Sequence, residues 1–180
     1  MKKLALLAIS VLVLASCRSG RGAMATATLN PSEGQTAKGT VHFHDVGDGT
    51  TEVVVDLTGV PPGEHGFHVH DKGDCGNNGA NAGPHFDPTH MVHGDPQAQS
   101  HHAGDFGNVT ANANGEVHTR FETHSVTVKE GMLSVVGHAV VLHGNPDDLV
   151  SQPSGNAGPR IACGVVTLMS GNTMAGSMQH

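Results

Sequence analysis

The stretch that decides the fold is His65-Gly66-Phe67-His68-Val69-His70. Successive side chains of a β-strand point to opposite faces, so a strand here would place the imidazoles of His68 and His70 on one face, close enough to bind one metal ion. This spacing alone is a weak indication of a metal site. His42 and His44 repeat it, and we interpret them as two exposed histidines on a polar strand face, because nothing else in the chain supports them as ligands.

Short runs in which apolar and β-branched residues alternate with other residues extend to both sides of this stretch. They predict about eight strands and an all-β sandwich or barrel. No helical pattern of useful length interrupts them. Two segments, 71–106 and 144–160, are long, without strand pattern and rich in Gly, Pro, Asp or Asn; loops of that length usually carry function. The predicted strands are 25–29, 39–43, 51–57, 65–70, 108–113, 116–122, 133–143 and 161–168.

The N-terminus resembles an export signal. Met1 and two lysines precede an apolar run over 4–14, which is about half of the ~20 residues that a bilayer-spanning helix needs. The box Leu14-Ala15-Ser16-Cys17 resembles a bacterial lipoprotein cleavage site, so we expect acylation of Cys17 and a periplasmic protein anchored to a membrane by its lipid. Arg18 after Cys17 favours the outer membrane. The expected organisation is a signal peptide (1–16), an acylated N-terminus and tether (17–24), one domain (25–169) and a disordered tail (170–180).

Composition narrows the function further. The chain has 15 His and 25 Gly but no Trp or Tyr, and an excess of histidine points toward metal binding. The formal net charge is −7, and loss of Lys2 and Lys3 with the signal peptide would make the chain more acidic still. Nucleic acid is therefore not an expected partner.

Further ligand candidates lie in the first long segment. His85, His93, His102 and Asp105 offer three imidazoles and a carboxylate, a set that suits tetrahedral zinc. His143, at the end of a predicted strand, could complete an all-nitrogen site with His68 and His70. Such a site suits tetragonal copper(II), but imidazole suits zinc as well, so the ligand type alone leaves the metal open.

Four blocks of the sequence resemble the signature blocks of copper/zinc superoxide dismutases, and the resemblance covers about residues 25–168. It implies a Greek-key β-sandwich or flattened barrel. It also implies copper bound by His68, His70, His85 and His143, and zinc bound by His85, His93, His102 and Asp105, with the His85 imidazole bridging both ions. The blocks are Gly66-Phe67-His68-Val69-His70, Gly83-Pro84-His85-Phe86, Gly104-Asp105-Phe106-Gly107-Asn108-Val109-Thr110 and Gly155-Asn156-Ala157-Gly158-Pro159-Arg160-Ile161-Ala162-Cys163-Gly164.

The resemblance assigns roles to four residues that are not ligands. Asp147 matches a carboxylate that links a copper-ligand and a zinc-ligand imidazole, the alternative being a solvated acid. Arg160 matches an arginine at the rim of the copper site, where it can pair with a small anion, the alternative being an ordinary loop ion pair. Cys75 and Cys163 match the family disulfide, and free thiols are the alternative.

The function that the resemblance implies is dismutation of superoxide to dioxygen and hydrogen peroxide by a redox-cycling copper ion, for antioxidant defence outside the cytoplasm. The alternative is a periplasmic copper/zinc carrier on the same scaffold with little turnover. The sequence leaves both a monomer and a homodimer open.

In one respect the chain departs from the eukaryotic members of the family. Its segment between His143 and Arg160 lacks the Glu-Glu-Lys set that guides superoxide inward there. Lys72, just after the predicted copper strand, is a candidate substitute, and a solvent-facing lysine is the alternative.

Overall fold

The structure, a computed structural model, describes residues 22–169. The expected signal peptide, Cys17 and the tail 170–180 lie outside the described residues, so those expectations stay predictions. Among the described residues, no helix is long and apolar enough to cross a membrane.

Eight strands make up the described fold, and the helical content of residues 22–169 is a single turn of 3-10 helix at Ala80–Ala82. The predicted all-β class is confirmed. The strands are β1 (Met24–Pro31), β2 (Lys38–Gly47), β3 (Thr50–Thr58), β4 (Gly63–His70), β5 (Asp105–Ala111), β6 (Val117–Thr123), β7 (Ala139–His143) and β8 (Arg160–Leu168).

The strands pair antiparallel in the order β5-β4-β7-β8-β1-β2-β3-β6. The two end strands of this order, β5 and β6, are joined by a tight turn in which the Asn112 N–H donates to the Glu116 carbonyl at 2.9 Å. The sheet therefore curls into a nearly closed barrel, and the connections from β3 to β4 and from β6 to β7 cross between its two halves. This confirms the predicted Greek-key barrel architecture.

The core forms because alternate side chains point inward. In β3, Val53, Val55 and Leu57 are fully buried, whereas Asp56 between them is exposed. Near the centre the ring of Phe106 lies 5.3–6.5 Å from three other phenylalanine rings, a spacing at which tilted aromatic pairs attract. Those three rings belong to Phe43, Phe67 and Phe121.

The predicted strand over 133–143 was too long, because β7 begins only at Ala139. Turns occupy the preceding residues: Ser134 N–H donates to the Gly131 carbonyl and His138 N–H to the Val135 carbonyl, both at 3.1 Å. Gly137 has a φ of 87°, which a regular strand does not adopt. Several strands begin earlier than predicted; among them, β5 begins at Asp105 and β8 at Arg160, so neither residue lies in a loop.

The two longest connections between these strands are 71–104, between β4 and β5, and 144–159, between β7 and β8. We call them the first and second long loops. The predicted disulfide is present: Cys75 in the first long loop is bonded to Cys163 on β8, across a sequence separation of 88 residues. It fastens the first long loop to the barrel.

Removing this disulfide by the double change Cys75→Ser and Cys163→Ser should lower the free energy of unfolding by roughly 4–5 kcal/mol, because a cross-link that closes so long a loop restricts the unfolded chain strongly. Urea unfolding of the metal-free protein followed by circular dichroism measures this. An unchanged midpoint and slope would contradict it.

Candidate metal centre

The first group of predicted ligands lies on two neighbouring strands. His68 and His70 point to the same face of β4, and His143 ends the adjacent β7. All three are buried, and the His143 ring centroid is 4.9 Å from that of His68 and 5.5 Å from that of His70. The strand register, set by the Val69↔Val140 pair, therefore brings the three imidazoles together.

The first long loop adds the second group. His85 pairs with His70 as an isolated antiparallel bridge, which places its ring 4.0 Å from the ring of His68. On its other side the His85 Nδ1 lies 2.7 Å from a carboxylate oxygen of Asp105. His93 and His102 complete the group, with ring centroids 5.3 and 5.5 Å from that of His85.

The structure thus brings all seven predicted ligands into two adjoining sets that share His85. Within each set the candidate ligand atoms lie within 4.8 Å of one another, and every residue is buried. One set consists of His68, His70, His85 and His143, and the other of His85, His93, His102 and Asp105.

Unsatisfied nitrogens test whether these sets fit metal ions. A buried polar atom without a partner costs about 1–3 kcal/mol, so folded proteins rarely keep one. Among the described residues, the buried side-chain atoms without a hydrogen-bond partner are four nitrogens, and all belong to the two sets. A lone pair on each of these nitrogens could bind a cation, and imidazole nitrogen is a ligand of both copper and zinc. The two donor sets therefore fit these metals. The four are His68 Nδ1, His85 Nε2, His93 Nδ1 and His102 Nδ1.

Asp147, from the second long loop, connects the two sets. Its carboxylate accepts hydrogen bonds from His68 Nε2 at 2.8 Å and from His93 Nε2 at 3.0 Å. A carboxylate accepts only, so both Nε2 atoms carry a proton and each Nδ1 is directed into its set. This is the linking position that the sequence resemblance implies for Asp147.

Backbone carbonyls orient two further imidazoles in the same way. His70 Nδ1 donates to the Gly83 carbonyl at 2.8 Å, and His143 Nδ1 donates to the Gly158 carbonyl at 3.2 Å. Their Nε2 atoms then face each other 3.3 Å apart within the first set. Both long loops therefore supply acceptors, and the first supplies ligands as well.

Burial sets the charge of the first set. It lowers the pKa of His70 to about 2, that of His143 to about 3 and that of His85 to about 4, and neighbouring imidazoles add to the effect. At neutral pH these side chains are uncharged, which is the state that binds a metal ion.

In the second set, the interaction between imidazoles and carboxylates has the larger effect on the pKa values. Burial acts to lower the pKa of His93, but hydrogen bonds to Asp105 and Asp147 outweigh it and raise this pKa to about 9. Burial acts to raise the pKa values of both carboxyls, but their imidazole partners hold them well below the usual range. Asp105 and Asp147 are therefore ionised and supply the negative charge of the centre.

A cleft of about 660 Å³ opens over the first set. Arg160 is on its wall, half-buried, and donates hydrogen bonds to the Gly79 and Gly83 carbonyls of the first long loop. Lys72 is exposed, and its aliphatic carbons lie beside Gly83 at the outside of that wall.

Comparison with known proteins identifies the fold and this centre together. A family model described as copper/zinc superoxide dismutase (SODC) matches residues 37–166. The chain belongs to this family. Among solved structures, the chain described as the clock protein EA4 is similar, with 38% sequence identity and a TM-score of 0.75. The match covers 83% of this chain and 96% of that one.

Two residues of this superoxide dismutase family member support the centre and were not predicted from the sequence. The Asn108 side chain donates to the Asp147 carbonyl at 2.9 Å and accepts from the Asp147 N–H at 2.7 Å. The Gln152 side chain makes the same pair of bonds to the backbone of His93, at 2.8 and 3.0 Å. Asn108 stands within a signature block, but no spacing signal connects either amide to its partner.

The other histidines have varied surroundings. His65 is buried and places its ring nitrogens 2.8 Å from the His143 carbonyl and 2.7 Å from the Pro61 carbonyl, so it connects the end of β7 to the segment before β4. His42 and His44 are only partly exposed, and His44 lies 3.2 Å from Glu52.

The change Asp147→Asn should weaken binding of both metals by about 10- to 100-fold, because an amide can accept from one imidazole but presents N–H to the other. Competition with a chromogenic chelator measures both affinities. Asp148→Asn is the matched control: Asp148 is exposed and bonds to Ser151 and Asn156, so its change should leave both affinities as they are. Equal losses in the two variants would contradict the linking role of Asp147.

Proposed function

We propose that this protein is an active superoxide dismutase, which converts two superoxide anions and two protons into one dioxygen and one hydrogen peroxide. The observation that carries the proposal is the pair of adjoining ligand sets sharing His85, with unsatisfied nitrogens directed into them and a cleft leading to one of them. Membership of the family agrees with it.

His68, His70, His85 and His143 would hold copper, and His85, His93, His102 and Asp105 would hold zinc. When bound, copper supplies the one-electron redox chemistry, and zinc, which has no redox chemistry, supplies a fixed positive charge. Three imidazoles of the first set, those of His70, His85 and His143, line the cleft. Substrate would therefore have access to the redox metal.

His85 is suited to take up a proton only transiently during turnover, because the low pKa of its buried imidazole favours release of that proton to the substrate. Its Nδ1 is fixed against Asp105, whereas its Nε2 is buried at the junction of the two sets without a hydrogen-bond partner. A proton held at Nε2 between the two half-reactions would lie beside the cleft, where the second superoxide needs it to form peroxide.

Arg160 would bind the substrate anion. Of the residues that line the cleft, it is the one with a permanent positive charge, and Asp71 and Asp87 on the same walls are acidic. Two carbonyl acceptors hold its guanidinium in place, so the ordering of this long side chain is complete before the anion arrives. With so few cations in the cleft, attraction of superoxide should depend strongly on Arg160.

The test is superoxide consumption by the copper- and zinc-loaded protein. Arg160→Gln should lower the rate constant about tenfold at low ionic strength, because charge steering is lost, and should leave the metal content unchanged. Arg120→Gln is the control, since Arg120 is exposed on β6 and contacts Glu52. Equal rates for the wild type and Arg160→Gln at low ionic strength would contradict the proposal that Arg160 attracts superoxide.

The same assay separates the enzyme from a carrier. A wild-type protein that binds both metals but consumes no superoxide would favour the alternative, a periplasmic copper/zinc carrier. The proposal of an enzyme would then be wrong.

The proposal includes export and lipid anchoring. The box Leu14–Cys17 supports acylation, and the disulfide between Cys75 and Cys163 supports an oxidising compartment outside the cytoplasm. In this reading the domain acts in antioxidant defence in the periplasm, attached to the outer membrane in an organism that has one.

Replacing Cys17 by Ser should abolish incorporation of labelled palmitate and move the protein from the membrane to the soluble fraction, because the thiol that carries the lipid is gone. Fractionation of cells that express either form measures this. A wild-type protein without label would refute the anchor and leave the proposed enzyme activity untouched.

A further inference from the structure

His138 is a histidine outside both ligand sets. It follows Gly137 and directly precedes β7, the strand that ends at His143. Its side chain is half-buried, and the residue after it, Ala139, pairs with His70 on β4. The imidazole therefore lies one step beyond the last β4–β7 pair, beside the start of the first long loop.

The first contact of His138 is a short hydrogen bond. Its Nδ1 lies 2.6 Å from the carbonyl oxygen of Asp71, and since a carbonyl can only accept, Nδ1 carries the proton. Asp71 is the residue after His70, and its own N–H donates to the Pro84 carbonyl at 2.9 Å. The bond from His138 thus holds the peptide between Asp71 and Lys72, and the bond to Pro84 holds the preceding peptide, which leaves His70.

The second contact is with an aromatic ring. The His138 and Phe86 rings have centroids 4.2 Å apart with an interplanar angle of 42°. Phe86 is the residue after His85, and its N–H donates to the Val69 carbonyl at 2.8 Å. One imidazole therefore touches the residue that follows each of two candidate copper ligands.

The consequence concerns the relative position of His70 and His85. Their ring centroids are 4.9 Å apart, and both rings face the cleft. A shift of a few tenths of an ångström in either peptide would change the angle between the two donor nitrogens, and geometry at this level tunes a metal ion.

Other contacts hold the same loop to the barrel. Gly73 packs against the Gly137 carbonyl so closely that a Cβ on Gly73 would lie 2.2 Å from that oxygen, and Cys75 is bonded to Cys163. The first long loop therefore stays attached when His138 changes. The particular contribution of His138 is a hydrogen bond to the residue after His70 and a ring contact with the residue after His85.

We infer that His138 is a positioning residue for the copper site: its hydrogen bond to Asp71 and its ring contact with Phe86 set the angle between His70 and His85. This inference rests on the proposed assignment of those two histidines to copper. It predicts that loss of His138 changes the coordination geometry of copper(II) while the metal content stays the same.

The experiment compares two complementary changes in the copper- and zinc-loaded protein. His138→Phe keeps a ring against Phe86 but loses the donor, and His138→Asn keeps a donor near the position of Nδ1 but loses the ring. His118→Phe is the control, because His118 is exposed on β6 and likewise forms a hydrogen bond, at 2.8 Å to Asp56. The measurements are the copper(II) electron paramagnetic resonance spectrum, copper affinity by chelator competition, and turnover.

We expect His138→Phe to alter the copper hyperfine splitting and to lower turnover about fivefold, the size of effect that loss of one hydrogen bond allows. His138→Asn should retain most of the wild-type hyperfine splitting and most of the wild-type turnover, and His118→Phe should match the wild type in both measurements. Wild-type spectra for both His138 variants would overturn the inference, even if their melting temperatures fell. A changed spectrum in a protein without turnover would support it and refute the proposed enzyme instead.

Discussion

The structure depends on one constraint, which is that six imidazoles and a carboxylate are buried side by side. Each ring has two nitrogens, and neither can be left without a partner at low cost. The fold meets this need by giving the outer nitrogens fixed acceptors, such as Asp147 for His68 and His93 and the Gly83 carbonyl for His70. The other nitrogen of each of these rings is directed into its set, where a metal ion would bind. Burial keeps His70, His85 and His143 uncharged by lowering the pKa of each imidazole, and the Asp105 and Asp147 carboxylates supply negative charge to the second set.

This constraint explains why the two long loops accompany a regular barrel. β4 and β7 alone can present three imidazoles, because register and alternation bring His68, His70 and His143 together. The loops supply the rest: the first brings His85, His93 and His102, and the second brings Asp147 and the carbonyl that orients His143. Asn108 and Gln152 then hold the backbones of Asp147 and His93 by paired amide bonds. Strand pairing in the barrel holds the ligands on β4 and β7 in place. Hydrogen bonds from Asn108 and Gln152 hold the loop residues Asp147 and His93 in place.

Most of the barrel could be predicted from the sequence, since a period of two is directly visible in β1 to β3, whose Val, Leu and Ala alternate with polar residues. β7 was overextended because Leu133, Val135 and Val136 look like strand residues, and their turns depend on Gly131 and Gly137. Spacing could not distinguish His68 and His70 from His42 and His44 without the further ligand candidates and the resemblance. Asn108, Gln152 and His138 escaped prediction because each acts on a residue 39 to 67 positions away, and a sequence carries no local sign of such a contact.

The Gly83 carbonyl shows how closely substrate binding and metal binding are joined. It accepts one hydrogen bond from His70 Nδ1 and a second from the guanidinium of Arg160. Arg160, the proposed anion-binding group, and His70, a member of the first set, are therefore held by the same oxygen. The disulfide strengthens this connection, because Cys163 lies three residues after Arg160 and Cys75 accepts a hydrogen bond from the Gly79 N–H, whose own carbonyl is the other acceptor of Arg160. The first long loop therefore connects Arg160 with His70 through the Gly83 carbonyl, so a displacement of this loop would disturb the hydrogen bonds of both residues.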